Sequence, residues 1–134
     1  MNQAAMLAKF RRESLATASP AQLLTMLYDR LLLDLDRAVA ALEVGDNPAA
    51  SAQLGHAQEI VHELRCSLDP TVWDGGAQLL GLYNYLYGEL VSANVTNDAE
   101  KVAACRALVQ PLRDAWHQAA AMPGTAVTSS SAVG

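Results

Sequence analysis

Two overlapping stretches carry residue types able to hold a metal: Glu59-Ile60-Val61-His62 and His62-Glu63-Leu64-Arg65-Cys66. On a helix His62 and Cys66 stand one turn apart, so an imidazole and a thiolate would share a face. Zinc needs three or four ligands, and neither His56 nor His117 is close enough in sequence to complete the set. A di-iron bundle needs two Glu-x-x-His motifs and two further inward glutamates, and this chain has one such motif. Glu59 and His62 also lie far round the helix from Val61 and Leu64, so a solvated face is expected there. No Gly-x-Ser-x-Gly and no glycine-rich phosphate loop occurs; Gly75-Gly76 reads as a helix start, and His117 as a surface residue. Neither catalysis nor a metal or other cofactor is expected.

The elements that must position these residues are helical. The chain has 134 residues, 51% of them hydrophobic, and a net charge of −5. That suits one domain with a real core. No apolar run approaches the roughly 18–20 residues of a membrane span, and the leading MNQAAMLAKFRRES lacks the apolar stretch of a secretory signal. A mildly acidic chain without a basic block argues against nucleic acid as a partner. A cytoplasmic location follows as the expectation, with Cys66 and Cys105 as reduced thiols in or near the core.

Ser19-Pro20-Ala21-Gln22 combines an N-cap, a proline at the first helical position and a capping-box Gln. Leu24, Tyr28, Leu31, Leu35, Ala38 and Leu42 then recur at steps of four and three, a heptad-type seam. Gly45-Asp46-Asn47-Pro48 ends this helix and begins a second, whose seam is Ala50, Leu54, Ala57, Val61, Leu64 and Leu68. A third starts near Asp74-Gly75-Gly76 with Leu79, Tyr83, Leu86, Leu90 and Ala93. After the turn Val95-Thr96-Asn97-Asp98, with Asn97 expected as N-cap, a fourth carries Val102, Cys105, Val109, Leu112, Trp116 and Ala119. Pro111 inside it should produce a kink. The pattern predicts an all-α fold, an antiparallel four-helix bundle. Its divisions are a leading segment 1–16 anchored by Phe10 and able to dock on the bundle, the bundle 17–121, and a disordered tail 122–134.

The seams leave apolar residues over. Met26, Leu33 and Ala40 are spaced by sevens on the back of the first helix, flanked by Arg30 and Arg37 on one side and by Asp29 and Asp36 on the other. Tyr85 points away from the Tyr83/Leu86/Leu90 seam. Gly81 and Gly88 lie behind it, each costing about 1 kcal/mol relative to alanine. Tyr83 and Tyr87 are expected in the core with their hydroxyls at its rim. Met26 and Leu33 could simply lie under the leading segment. Alternatively, surplus apolar faces suit an apolar helix or extended peptide from a partner, with Tyr85 as a contact.

Several stretches resemble one family. Thr17-Ala18-Ser19-Pro20-Ala21-Gln22-Leu23, followed by Met26-Leu27-Tyr28-Asp29, resembles the start of the first long helix of the flagellin-specific export chaperones, the FliS family. Leu82-Tyr83-Asn84-Tyr85-Leu86 is similar to that family's Leu-Tyr-Asp-Tyr-Met signature. Leu90, Ala93-Asn94 and Asn97-Asp98 continue the likeness, and Arg113-Asp114-Ala115-Trp116 resembles its terminal Arg-x-Ala-Trp. The likeness runs over about residues 8–120. Phe10 stands where the family usually has tyrosine, Asn84 replaces an aspartate and Leu86 a methionine.

The resemblance implies a cytosolic chaperone that binds the C-terminal segment of flagellin, prevents premature polymerisation and delivers it to the flagellar type III export apparatus. Met26, Leu33, Tyr85, Gly81 and Gly88 are then the candidate contacts, with Phe10 as a displaceable plug. Asn94, Asn97 and Asp98 are read first as caps of the turn between the third and fourth helices, and second as client contacts. The competing reading is a generic helical adaptor or a homodimer that pairs its back faces.

Overall fold

The computed structural model of the protein describes residues 4–5, 20–72 and 74–121, with Trp73 and the remaining residues outside it. Among the described residues lie α1 (Pro20–Glu43), α2 (Asn47–Ser67), α3 (Gly76–Thr96) and α4 (Ala99–Ala121). Ser19, Phe10 and the rest of the leading segment from position 6, and the tail from Met122 onward, fall outside the described residues.

The connections follow from turn chemistry. Gly45 has φ +76, a conformation that favours glycine, and closes α1 through Gly45 N to Leu42 O at 3.1 Å and Asp46 N to Ala41 O at 2.8 Å. Asp46 then caps α2, accepting from Ala49 N at 3.2 Å, with Pro48 in the first turn where its missing N–H costs nothing. Between α2 and α3 the Pro70 backbone lies so close to Gly76 that any Cβ there would strike it.

The hinge between α3 and α4 corrects one expectation. Asn97 does not cap the fourth helix. It is the C-cap of α3, left-handed at φ 54, and donates its N–H to Ala93 O. Asp98 takes the N-cap role, accepting from Lys101 N at 3.1 Å. Two helices joined by so few residues need a chain reversal first, and asparagine tolerates that backbone better than most residues.

The four seams meet as the heptads predict. Tyr28, Leu31, Leu35 and Ala38 of α1, Leu54, Ala57, Val61 and Leu64 of α2, Leu79, Leu86, Leu90 and Ala93 of α3, and Val102, Cys105 and Val109 of α4 are buried in one cluster. Burial of each large aliphatic side chain contributes about 1.5–3 kcal/mol. Neighbouring helices pack as α1 on α2, α2 on α3 and α1 on α4, with the α3–α4 contact the least extensive.

Two polar pairs sit inside this frame. The Tyr28 and Tyr83 hydroxyls hydrogen-bond at 2.5 Å across the core, so Tyr83 is buried to its tip and not only to the rim. Burial raises the pKa of both phenols, the Tyr83 charge adding to the effect at Tyr28. Asp34, fully buried on α1, pairs with His56 Nδ1 of α2 and accepts from Arg30 Nε at 3.1 Å. The spacing of the apolar residues did not announce this pair. Cys105 is in the core, where burial lifts its thiol to about 11. Cys66 is exposed, on the side of α2 turned from the seam, against the expectation of a near-core thiol.

Candidate functional site

The metal-like stretch does not assemble a metal site. Cys66 Sγ lies 3.5 Å from His62 Nε2, but Arg65 completes the group, donating toward His62 Nδ1 at 3.0 Å and to Asn84 Oδ1 at 3.2 Å. Its guanidinium stands 4.5 Å from the centre of the Tyr87 ring. A cation over an aromatic face ties α2 to α3 and places a positive charge where a metal would need donors. Among the described residues no group of three or more His, Cys, Asp or Glu side chains could hold a metal ion. Glu59 is also less solvated than expected, because its Oε2 is buried.

The surplus apolar residues fall into two separate tracts. Met26 and Leu33, 37% and 40% exposed, lie on the outer side of α1. Tyr85, 56% exposed, lies on α3. These two helices face each other across the core, so no single surface joins Met26 and Leu33 to Tyr85.

Tyr85 belongs instead to a tract that the heptad reading missed. Lys101 Nζ of α4 donates to Ser92 Oγ of α3 at 2.9 Å, which sets the antiparallel register of the two helices. In that register Leu108, 39% exposed, comes level with Tyr85. Ala104, Leu108, Pro111 and Ala115, exposed and four, three and four residues apart, continue the uncharged flank of α4. Toward the far end the helices part around an open groove of about 470 Å³ lined by Leu79, Leu82, Leu112, Ala115 and Trp116, with Gln78 on its polar edge. Pro111 offers no N–H, so the Ala107 carbonyl on this flank lacks its usual helical donor.

On α3, a Cβ added at Gly81 or Gly88 would meet nothing within 4 Å among the described residues, so none of these requires glycine at either position. Asn97 and Asp98 cap the α3–α4 hinge, and Asn94 is half-buried one turn before it. An uncharged groove with aromatic residues along it can take an apolar helix or peptide strand, and has no group suited to bond-making chemistry.

Comparison with known proteins identifies the family. A family model described as "Flagellar protein FliS" matches residues 2–123. The chain belongs to the FliS family. It is 34% identical over 110 residues to the flagellar secretion chaperone FliS of Bacillus subtilis (strain 168), covering 82% of each chain. Against the flagellar secretion chaperone FliS of Escherichia coli (strain K12) it is 35% identical over 109 residues, 80% of each chain. The same-named protein of Salmonella typhimurium shows 36% identity over 106 residues, 76% of this chain and 77% of that one. These FliS relatives are chaperones of secretion, a non-enzymatic class, and the chain falls in that class. Among the described residues no helix is long and apolar enough to cross a membrane.

Proposed function

We propose that the chain is a flagellar export chaperone that binds the C-terminal segment of flagellin in the cytosol, keeps it from polymerising early and hands it to the type III export apparatus. The observation that carries the reading is the uncharged tract along α3 and α4, from Tyr85 and Leu108 to the groove at Leu82 and Trp116, on a member of the FliS family.

The client segment folds on this tract as a helix, burying its apolar face against Tyr85 and Leu108. Gly81 and Gly88 let a backbone approach α3 closely, which accounts for two glycines that no contact among the described residues requires. Met26 and Leu33 form a second contact on α1, with Phe10 as the plug the client displaces there. Asn94, Asn97 and Asp98 border the hinge end of the tract, opposite the groove, and serve first as caps. Ordering the client costs about 2–5 kcal/mol of the contact energy, which makes binding specific yet releasable.

Isothermal titration with a peptide covering the C-terminal segment of flagellin from the same genome tests this. One-to-one binding with a strongly negative heat-capacity change is expected. No binding by either the full chain or one lacking residues 1–16 would overturn it, and a stable dimer that the peptide cannot dissociate would favour the homodimer.

A further inference from the structure

Leu79 and Leu82 of α3 face Leu112, Ala115 and Trp116 of α4 across the groove, and the two walls stand apart. Apolar walls that face water gain by closing on each other, and protein interiors close-pack wherever nothing holds them open. α3 and α4 make the least extensive of the helix contacts, and their Lys101–Ser92 hydrogen bond lies near the hinge, at the opposite end of both helices. What keeps the walls apart must reach them from behind.

Two neighbouring residues of α1 do so. The Asp29 carboxylate accepts from Arg113 Nε at 2.8 Å and lies 2.8 Å from His117 Nε2, so one side chain grips a whole turn of α4. Seven residues on along α1, Asp36 holds Arg106, seven residues back along α4, and the two helices keep one register. In that register Tyr28 comes within a turn of Trp116. Its buried hydroxyl has two partners, the Tyr83 hydroxyl of α3 at 2.5 Å and the Trp116 indole of α4. An indole N–H can only donate, so the Tyr28 oxygen accepts from Trp116 and has its own proton left for Tyr83. Tyr83 directly follows Leu82 and lies one turn from Leu79. One hydroxyl is thus bonded to a residue of each wall.

We propose that Tyr28 is the positioning residue of the groove: its hydroxyl fixes Trp116 and Tyr83 at one separation, so that the groove is formed before a client arrives. Asp29 holds the same turn of α4 from the surface. This role rests on the groove being part of the client site proposed above. Core packing alone would be served by phenylalanine at position 28. A preformed groove spares the client the work of parting two helices, so a hydroxyl that touches no client governs its affinity.

Tyr28→Phe keeps the ring and removes the hydroxyl, whereas Tyr83→Phe removes only the α3 partner. NMR of the free full chain reads the walls. The Trp116 indole N–H, assigned by its absence from Trp116→Phe, should exchange slowly with solvent in the native chain. In Tyr28→Phe it should exchange at least about tenfold faster relative to the backbone amides of α2, a contrast that a general loss of stability would not produce. In Tyr83→Phe it should stay slow. Nuclear Overhauser contacts between the Leu82 methyls and the Trp116 ring should strengthen in both variants as the walls close. The flagellin peptide should bind about tenfold more weakly to Tyr28→Phe and several-fold more weakly to Tyr83→Phe. Unchanged indole exchange in Tyr28→Phe, or unchanged wall contacts in both variants, overturns the positioning. Should Tyr28→Phe fold poorly by circular dichroism, the wall contacts in Tyr83→Phe decide it. A native chain that binds no peptide overturns the client reading, while indole exchange and wall contacts still decide whether Tyr28 sets the walls. A native chain that binds, with affinity unchanged in both variants, overturns the control of affinity by this hydroxyl.

Discussion

α1 and α3 face each other across one core and are fastened in opposite ways. α1 carries its charges to its neighbours: Asp34 to His56 of α2 from within, and Asp36 to Arg106 and Asp29 to Arg113 and His117 of α4 at the surface. α3 has one charged residue, Glu89, and its bonds to neighbours are neutral on its own side: the Leu90 carbonyl, the Asn84 amide and the Ser92 hydroxyl. Ionic pairs fix a helix in one register, because a slip leaves charges unmatched. Neutral, apolar flanks leave a helix free to accept a further neighbour without desolvating a charge. The bundle therefore has a framing side at α1 and, in the function proposed above, a receiving side along α3–α4.

The hardest blow to that comparison falls on the framing side. Asp34→Ala leaves His56 buried without its carboxylate, and breaking a buried pair costs about 3–5 kcal/mol. Urea unfolding monitored by helical ellipticity should show a loss of that size. The double change Asp34→Leu/His56→Leu should lose much less, because both desolvated groups go together. Equal losses in the two variants would mean that the pair does not set the α1–α2 register.

The core was legible in the sequence and this pair was not, for a physical reason. Leu79, Tyr83, Leu86, Leu90 and Ala93 announce their burial through spacing alone, since a helix converts spacing into direction. Asp34 and His56 are 22 residues apart, and only the packing of α1 on α2 brings them together. The exchange of roles between Asn97 and Asp98 turned on a backbone angle at the hinge. Tyr85 could be read as outward, but Leu108, Ala115 and Trp116 could be joined to it only once α3 and α4 were seen to part around a groove. Direction is local, whereas the width of a groove is a property of the whole bundle.

On the receiving side the second largest effect is on binding. Tyr85→Asp and Leu108→Asp should each weaken the flagellin peptide at least about tenfold, or 1.4 kcal/mol. Stability should stay within about 0.5 kcal/mol, as expected of exposed positions. Loss of helicity in either variant would place these residues in the core and remove the distinction between the two sides. A smaller effect sharpens it further. Gly81→Ala and Gly88→Ala add a methyl into open space on a helix, so each should stabilise the free chain by about 0.5–1 kcal/mol. If a client backbone lies close against α3, titration of the same variants will show weaker binding together with a higher Tm. A rise in Tm with binding unchanged would move the client off these two positions.

The smallest effect returns to α1. Burial works against the charge of Asp29, but hydrogen bonds from Arg113 and His117 outweigh it and hold its pKa below the ordinary carboxylate value. A group depressed in the folded state adds stability above its unfolded pKa and loses it as pH falls through the folded one. The Asp29 contribution should therefore be complete at neutral pH and fade below about pH 4. Because the pair is largely exposed, salt screens it and the effect is smaller than any above. Urea midpoints for the native chain and Asp29→Asn should differ slightly at pH 7 in low salt and converge toward pH 3. The comparison belongs also in His117→Gln, where the Arg113 bond to Asp29 at 2.8 Å remains. A difference that persists at pH 3 in both backgrounds would show that Asp29 acts by packing, and that the framing side is less ionic at its surface than within.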